Sequence, residues 1–312
     1  MKSTALLFPG QGSQHIGMGK ELYDEFVEAR EVFEQVNDAL KRNLSAIMFG
    51  GDVMELTQTH NAQPAIMAVS MAAFRVLLKH HVSGGVQEMA RYACGHSLGE
   101  YSAHAAAGTF SLADTAFLLQ VRGEAMARCA VSGVASGMVA LLGGELSDIE
   151  RMVADASAHG VCCIANDNGA GQVVISGEAA ALQWVQGHCS SYGVKKAIPL
   201  NVGGAFHSPL MADAAVEVGG ALEKVSCNTP ILSIIANCDL RVISTVEDVK
   251  QTLVSQITAP VQWRRTMHKL QEEGVERFIE VGPGKVLSGI AKRMMPDAEV
   301  LNLALPADFE VL

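Results

Sequence analysis

Residues 92–107 read YACGHSLGEYSAHAAA and contain the strongest local signal in the sequence. It contains the pattern G-x-S-x-G as Gly95-His96-Ser97-Leu98-Gly99, called the elbow below. A short apolar run typical of a buried strand precedes the elbow, and a helical pattern follows it. In that context the two glycines allow a sharp turn that exposes the serine hydroxyl. The sequence therefore predicts a nucleophilic Ser97, the alternative being a glycine-rich turn with a capping serine.

Apolar runs and helical patterns alternate on both sides of the elbow. Buried strands are predicted at residues 5–8, 231–236 and 277–281. Longer segments with apolar residues at helical spacing predict helices at 20–42, 62–80, 98–107, 111–130 and 285–295. This alternation is typical of an α/β fold with a parallel sheet. We expect a large α/β-hydrolase-like subdomain built on that sheet.

The segment from residue 137 to residue 200 has a different order of elements. Its patterns predict strand, helix, two strands, helix and strand, which is the βαββαβ order of a ferredoxin-like unit. A length of 312 residues also suggests about two domains. We predict a discontinuous catalytic subdomain (1–130 and 201–312) interrupted by a small ferredoxin-like subdomain (131–200).

Composition excludes several classes of protein. The chain has 33 acidic and 23 basic side chains and a net charge of -10, which disfavours nucleic-acid binding. Its seven cysteines include no C-x-x-C pair, so neither a disulfide framework nor a structural zinc site is expected. The longest apolar stretch, residues 65–78, contains Ser70 and Arg75 and is predicted to be a buried helix rather than a membrane span. We expect a cytoplasmic protein with no membrane segment.

A serine nucleophile needs a base, and His207 is the best candidate among ten histidines. It lies in a glycine-containing loop, where active-site residues often collect, although a structural loop histidine is the alternative. No H-E-x-x-H pattern or His/Cys cluster predicts a metal site. The loop at residues 10–17 fails both nucleotide-binding spacings, because Gly12 is followed by Gly17 and Met18 replaces the required lysine. That loop is either a plain turn or a donor to an oxyanion hole.

Four segments together resemble the malonyl-CoA:acyl carrier protein transacylases of type II fatty-acid synthesis. They occur in the family order and span essentially the whole chain: Phe8–Gln14, Gly95–Tyr101, Gly204–Ser208 and Glu280–Gly284. The resemblance implies malonyl transfer from malonyl-CoA to the phosphopantetheine thiol of holo acyl carrier protein. It also implies a malonyl-serine intermediate and no permanently bound cofactor, with the coenzyme A thioester as substrate.

The resemblance also implies roles for individual residues. Ser97 corresponds to the nucleophile and His207 to its base, while the backbone N–H groups of Gln11 and Leu98 would form the oxyanion hole. Arg122 matches the arginine that binds the malonyl carboxylate, although without the resemblance it would be an ordinary helix-surface residue. Gln262 matches the residue whose backbone carbonyl orients the histidine. Further residues expected near the site are His96, Asn166 and Asn168.

An anionic carrier and substrate require a local basic surface despite the net acidic charge. The candidates for this basic rim are Lys195, Lys196, Lys285, Lys292 and Arg293. The protein is expected to be a monomer that meets its carrier transiently.

Other functions stay open from the sequence. A related malonyl transferase could serve a polyketide synthase or a malonate decarboxylase. A serine thioesterase or hydrolase would need an acidic third residue between Ser97 and His207 in the chain order of α/β-hydrolases. A catalytically silent binding module is the remaining alternative.

Overall fold

A computed structural model describes residues 2–131 and 133–312. Within these residues the strands are β1 (Thr4–Phe8), β2 (Tyr92–Gly95), β3 (Ser136–Leu142), β4 (Cys162–Gly169), β5 (Gln172–Glu178), β6 (Lys196–Pro199), β7 (Ser233–Ile234), β8 (Arg277–Val281) and β9 (Glu299–Leu303). The helices of the first half are α1 (Lys20–Glu25), α2 (Val27–Leu40), α3 (Leu44–Gly50), α4 (Val53–Thr57), α5 (Thr59–His81), α6 (Val86–Met89), α7 (Gly99–Ala106) and α8 (Leu112–Val131). Those of the second half are α9 (Leu146–Ala156), α10 (Ala179–His188), α11 (Ala212–Leu222), α12 (Val246–Ser255), α13 (Trp263–Glu272) and α14 (Val286–Met294).

A five-stranded parallel sheet forms the larger unit, in the order β7-β2-β1-β8-β9. Every residue of the central strand β1 is buried. Leu6 and Phe8 pack into the main core, whereas Ala5 and Leu7 pack into a second core on the opposite side. Because successive strand side chains point to opposite faces, this continuous apolar run requires helices on both faces of the sheet. The predicted α/β class with a parallel sheet is confirmed.

The second sheet is antiparallel and has the order β4-β5-β3-β6. This order and the chain order βαββαβ define a ferredoxin-like unit, as predicted. Helices α9 and α10 cover one face of this sheet through their own apolar core. The sheet occupies residues 136–199, within the predicted 131–200. The subdomain limits stay a prediction, and residues 1 and 132, which they include, lie outside the described residues.

The small sheet is joined to the large unit at β4. Asp167 donates its N–H to the carbonyl of Val261 at 2.9 Å, and Val261 donates to Ala165 at 2.8 Å. An ion pair between Arg264 and Asp167, at 2.9 Å, lies beside these backbone bonds. This junction places the end of β4 next to the carboxyl edge of the parallel sheet.

Several elements differ from the sequence expectations. The predicted helix 20–42 is divided by extended backbone at Phe26, which separates α1 from α2. The predicted strand 231–236 is reduced to β7, because the chain turns back there and Ile243 donates its N–H to the Ile234 carbonyl. The edge strand β9 was not predicted. By length and composition, α5 is the one helix among the described residues that could cross a membrane, but 89% of its most apolar window is buried in the protein.

Candidate active site

The elbow lies between β2 and α7 at the carboxyl edge of the parallel sheet. Ser97 has a φ of 54°, a left-handed conformation that costs about 1–3 kcal/mol for a residue other than glycine. A Cβ at Gly95 would lie 1.9 Å from the carbonyl carbon of Gly99, and a Cβ at Gly99 would lie 2.2 Å from the carbonyl oxygen of Phe8. The two glycines of the motif are therefore required by close backbone packing around Ser97.

The Ser97 hydroxyl lies 2.8 Å from Nε2 of His207. Nδ1 of the same ring lies 2.8 Å from the carbonyl oxygen of Gln256 and 3.2 Å from that of Ala259. Since a carbonyl only accepts, Nδ1 carries the proton and Nε2 accepts from the serine. Burial, and secondarily the charge of Arg122, lower the pKa of His207 to about 3. The ring is therefore neutral near pH 7 and able to take the serine proton.

The expectation that the Gln262 carbonyl orients this histidine is wrong. Gln262 precedes α13, so its carbonyl enters the hydrogen bonding of that helix and accepts from the Thr266 N–H at 2.9 Å. Gln256 follows the last residue of α12, where terminal carbonyls have no partner within the helix. The geometry therefore assigns the orienting carbonyl to Gln256, supported by Ala259.

Arg122 is buried in the middle of α8 rather than on a helix surface, with 1% of its area exposed. Its Nη2 lies 3.0 Å from the Ser97 hydroxyl and 2.9 Å from the side-chain oxygen of Gln256. Its Nη1 donates to the side-chain oxygen of Gln63 at 2.8 Å. These amide oxygens hold the guanidinium in place without neutralising its charge. The planar fork suits a carboxylate bound next to the serine.

The two expected oxyanion-hole donors lie around the elbow. Leu98 is the residue before α7, and Gln11 lies in the turn after β1. This turn packs on the elbow so closely that a Cβ at Gly10 would lie 2.7 Å from the carbonyl oxygen of His96. Within residues 2–131 and 133–312, neither the Gln11 nor the Leu98 N–H has a hydrogen-bond acceptor. Both groups are available to stabilise negative charge on a reacting carbonyl.

A cavity of about 250 Å³ opens beside the elbow, where the small sheet faces α14 and the loop at residues 9–13. His96 lies in its wall and its Nε2 is 2.8 Å from the side-chain oxygen of Asn168. Burial lowers the pKa of His96, so this contact involves a neutral ring. The lining residues are Pro9, Gly10, Gln11, Gly12, Ser13, His96, Asn166, Asn168, Gln172, Val174, Leu200, Val286, Leu287 and Ile290. The structure thus places His96, Asn166 and Asn168 in the wall of one cavity.

The five rim candidates are all exposed but occupy different places. Lys285 directly precedes Val286 and Leu287, which line the cavity. Lys196 lies on β6 opposite Leu142, which in turn pairs with the cavity residue Gln172. Lys195 packs its methylene groups over Gly143. The remaining two, Lys292 and Arg293, lie in the last turn of α14.

Four polar residues of the site were not found from the sequence. They are buried and support the residues described above: Gln63, Glu100, Asn237 and Gln256. Gln63 lies in an otherwise apolar helical segment, and Glu100 directly follows the elbow. The sequence around each of these two residues could therefore have indicated a buried polar group. Gln256 and Asn237 had none, since their roles depend on contacts between distant segments. Among the described residues, no cluster of His, Cys, Asp or Glu could hold a metal ion.

A neutral histidine on the hydroxyl of an elbow serine is an arrangement used for acyl transfer. The family model of the acyl transferase domain matches residues 5–304. The chain therefore belongs to the acyl transferase domain family and is an acyltransferase.

Similar proteins narrow the activity. The malonyl CoA-acyl carrier protein transacylase of Bacillus subtilis (strain 168) is 38% identical over 312 residues, which cover 100% of this chain and 96% of that one. The crystal structure of an acyl-carrier-protein S-malonyltransferase from Bartonella henselae is 46% identical, with a TM-score of 0.95 and coverage of 99% and 98%. A structure of a type II polyketide acyl-carrier protein in complex with its malonyl-transacylase is 32% identical, with a TM-score of 0.93 and coverage of 99% and 98%.

Proposed function

We propose that this protein transfers a malonyl group from malonyl-CoA to the phosphopantetheine thiol of an acyl carrier protein, through a malonyl-serine intermediate. The observation that carries the proposal is the position of Arg122. Its buried guanidinium lies 3.0 Å from the Ser97 hydroxyl, so a carboxylate on the acyl group attached to that oxygen would meet it. A neutral acyl group offers no partner for this charge.

In the first half-reaction, Nε2 of His207 takes the Ser97 proton as the serine oxygen attacks the thioester carbonyl. The oxyanion is stabilised by the N–H groups of Gln11 and Leu98, and the loss of one such donor costs about 3–4 kcal/mol of barrier stabilisation. The carbonyl then re-forms, the C–S bond breaks, and the imidazolium returns its proton to the coenzyme A thiolate. The Gln256 carbonyl stabilises the imidazolium through Nδ1.

The second half-reaction reverses these roles with a different thiol. His207 takes the proton of the carrier's phosphopantetheine thiol, whose sulfur attacks the malonyl-serine ester. The oxyanion occupies the same site, and the serine leaves with the proton held by His207. Coenzyme A and the carrier share the pantetheine arm, so one cavity can serve both. Its amide side chains, Asn166, Asn168 and Gln172, can bond to the two amides of that arm.

We further propose that part of the basic rim receives the phosphates of coenzyme A and the acidic carrier. Lys285 and Lys196 are the strongest candidates, because both are exposed, Lys285 directly precedes two cavity residues, and β6, which carries Lys196, leads to the cavity residue Leu200. Replacing both by glutamate should raise KM for the carrier with little change in kcat, and the increase should shrink as salt is added. The double variant Lys292→Glu/Arg293→Glu, further along α14, is the control. Comparing the KM of the two double variants distinguishes a local binding site from an effect of net charge. Equal effects of both pairs would contradict the local rim.

A hydrolase is disfavoured by the surroundings of His207. Its Nδ1 faces two carbonyl oxygens rather than the carboxylate used by α/β-hydrolases. The complex between a polyketide carrier and its transacylase is a specific reason to test a second acceptor class. Fatty-acid and polyketide carriers are therefore both needed in the assay.

The deciding experiment is mass spectrometry of the purified protein after malonyl-CoA and again after holo carrier protein is added. The expected result is a malonyl mass on the Ser97 peptide that moves to the carrier thiol. Release of free malonate without transfer would support a hydrolase, and labelling of a different peptide would overturn the assignment of Ser97. The proposal includes a cytoplasmic monomer without a permanent cofactor, and light scattering coupled to size exclusion tests the monomer.

A further inference from the structure

The side chain of one asparagine that is distant in sequence holds the elbow in place. Asn237 donates from Nδ2 to the carbonyl oxygen of Gly95 at 2.7 Å, and its Oδ1 accepts the N–H of Ser97 at 2.7 Å. Only 1% of Asn237 is exposed. A single primary amide therefore spans the two peptide groups that flank His96, directly beside the left-handed residue Ser97.

The need for this amide follows from the end of β7. This strand pairs with β2 only at Tyr92 and Ala93, after which its chain turns away to form a hairpin in which Ala236 donates to the Arg241 carbonyl. The backbone of β7 thus leaves the sheet before it reaches Gly95. A primary amide carries the same donor and acceptor pair as a peptide group. The Asn237 side chain replaces the missing backbone partner at the point where β2 enters the elbow.

Asn237 is itself fixed on both sides of its backbone. Its N–H donates to Oε2 of Glu100 at 3.2 Å, and its carbonyl accepts from the Gln262 N–H at 3.0 Å. The same Glu100 oxygen accepts from the Gln256 side-chain amide at 2.6 Å. That amide also donates to the Ser97 carbonyl at 3.1 Å. The serine and the residue that orients His207 are therefore linked through one buried network.

The carboxyl group in this network is fully enclosed. Burial raises the pKa of Glu100 to about 8, although its bonds from Gln256 and Asn237 act in the opposite direction. Burial therefore also disfavours the charged form of a carboxyl group placed at position 237, so the Asn237→Asp side chain is expected to be largely protonated near pH 7.

We propose that Asn237 is a positioning residue that holds Ser97 in its reactive conformation and, by occupying the Ser97 N–H, leaves the Leu98 N–H as the elbow's donor to the oxyanion. Ser97 would otherwise relax from its left-handed backbone, and its own N–H would compete for the oxyanion. This inference rests on the proposed function only through the choice of substrate.

The test compares Asn237→Ala and Asn237→Asp with a matched control, Asn228→Asp. Asn228 is an exposed asparagine whose side chain also donates to a backbone carbonyl, that of Gly108. Asn237→Ala removes both bonds, whereas a protonated Asn237→Asp keeps an acceptor for the Ser97 N–H and an O–H donor for the Gly95 carbonyl, and it loses that donor when it ionises. The readouts are the acylation rate with malonyl-CoA, its KM, and the rate of Ser97 labelling by a fluorophosphonate, each per active site counted by complete labelling.

Asn237→Ala is expected to acylate at least tenfold more slowly with KM changed less than threefold, because Arg122 and the cavity are left in place. Asn237→Asp is expected to stay within threefold of wild type near pH 7 and to slow as its carboxyl group ionises at higher pH. The fluorophosphonate rate should fall in parallel, while the control variant behaves as wild type. Counting active sites corrects for any unfolded fraction, so lower yield with a normal rate per site would overturn the proposal. A wild-type chain that reacts with the fluorophosphonate but not with malonyl-CoA would reject the proposed function, and the fluorophosphonate rates would still test Asn237.

Discussion

Replacing Arg122 by methionine removes the positive charge beside Ser97 while keeping much of the side-chain volume. In the proposed complex, the malonyl carboxylate and the guanidinium form a buried pair. Truncation of one partner of such a pair costs about 2–5 kcal/mol. At about 1.4 kcal/mol per tenfold, kcat/KM for malonyl-CoA should fall roughly 30- to 4,000-fold.

Acetyl-CoA provides the internal reference, because its acyl group has no carboxylate to lose a partner. The substitution also leaves two buried acceptors unpaired, the side-chain oxygens of Gln63 and Gln256. Each such acceptor costs about 1–3 kcal/mol, so some loss of stability and of acetyl transfer is expected. The ratio of kcat/KM for malonyl-CoA to that for acetyl-CoA cancels this shared loss and is the quantity to measure.

The same variant has a second signature in its pH profile. The charge of Arg122 is the second cause, after burial, of the lowered His207 pKa. Removing that charge raises the His207 pKa toward its ordinary value. In the pH profile of Ser97 acylation by acetyl-CoA, the decline at low pH should therefore move to higher pH. The reason is that protonated His207 cannot accept the serine proton.

Arg128→Met is the matched control on the same helix. Arg128 is an exposed residue paired at the surface with Glu217, where ion pairs contribute little. It should leave both the substrate ratio and the pH profile unchanged. A malonyl-to-acetyl ratio in Arg122→Met within about twofold of wild type would refute the carboxylate-binding role.

Four further predictions concern the site and the core. Ser97→Ala should abolish covalent labelling by malonyl-CoA, as measured by mass spectrometry. In wild type the first half-reaction should stay active down to well below pH 6.5, because the pKa of His207 is lowered to about 3. A rate that halves near pH 6.5 would contradict a neutral, buried base. Burial also lowers the pKa of His104 to about 3, so its contribution to the free energy of unfolding is complete above about pH 6.5 and is lost as pH falls toward 3. His104→Leu should reduce that slope by up to about 1.4 kcal/mol per pH unit in urea unfolding, and an unchanged slope would mean that His104 is protonated in the folded protein. Gly99→Ala should lower the free energy of unfolding by about 1–3 kcal/mol, the usual cost of overpacking, because its Cβ would meet the Phe8 carbonyl oxygen. The control Gly220→Ala lies in α11 with open space around it and should cause no such loss. Equal urea midpoints for the two variants would contradict the close packing at Gly99.

Much of the fold and site could be predicted because the relevant signals are local. The all-apolar β1, the glycines around Ser97 and the strand–helix alternation each report a requirement of neighbouring backbone. The βαββαβ order of the small unit was readable for the same reason. The break at Phe26 and the short β7 were not, because both depend on which distant segment packs against them.

The residues of the site also fall into two groups, those that the sequence indicated and those that it did not. The elbow was apparent from the sequence because its two glycines are local requirements: a Cβ added at Gly95 or Gly99 would lie 1.9 or 2.2 Å from backbone atoms. The sequence also pointed to His207 and, with the family resemblance, to Arg122. Folding in three dimensions was needed to show that the Gln256 carbonyl, rather than that of Gln262, contacts the histidine, and that Asn237 spans the elbow. A backbone carbonyl is the same group at every position in the chain, so its role is set by where the helix ends and what lies opposite it, and not by the identity of its side chain.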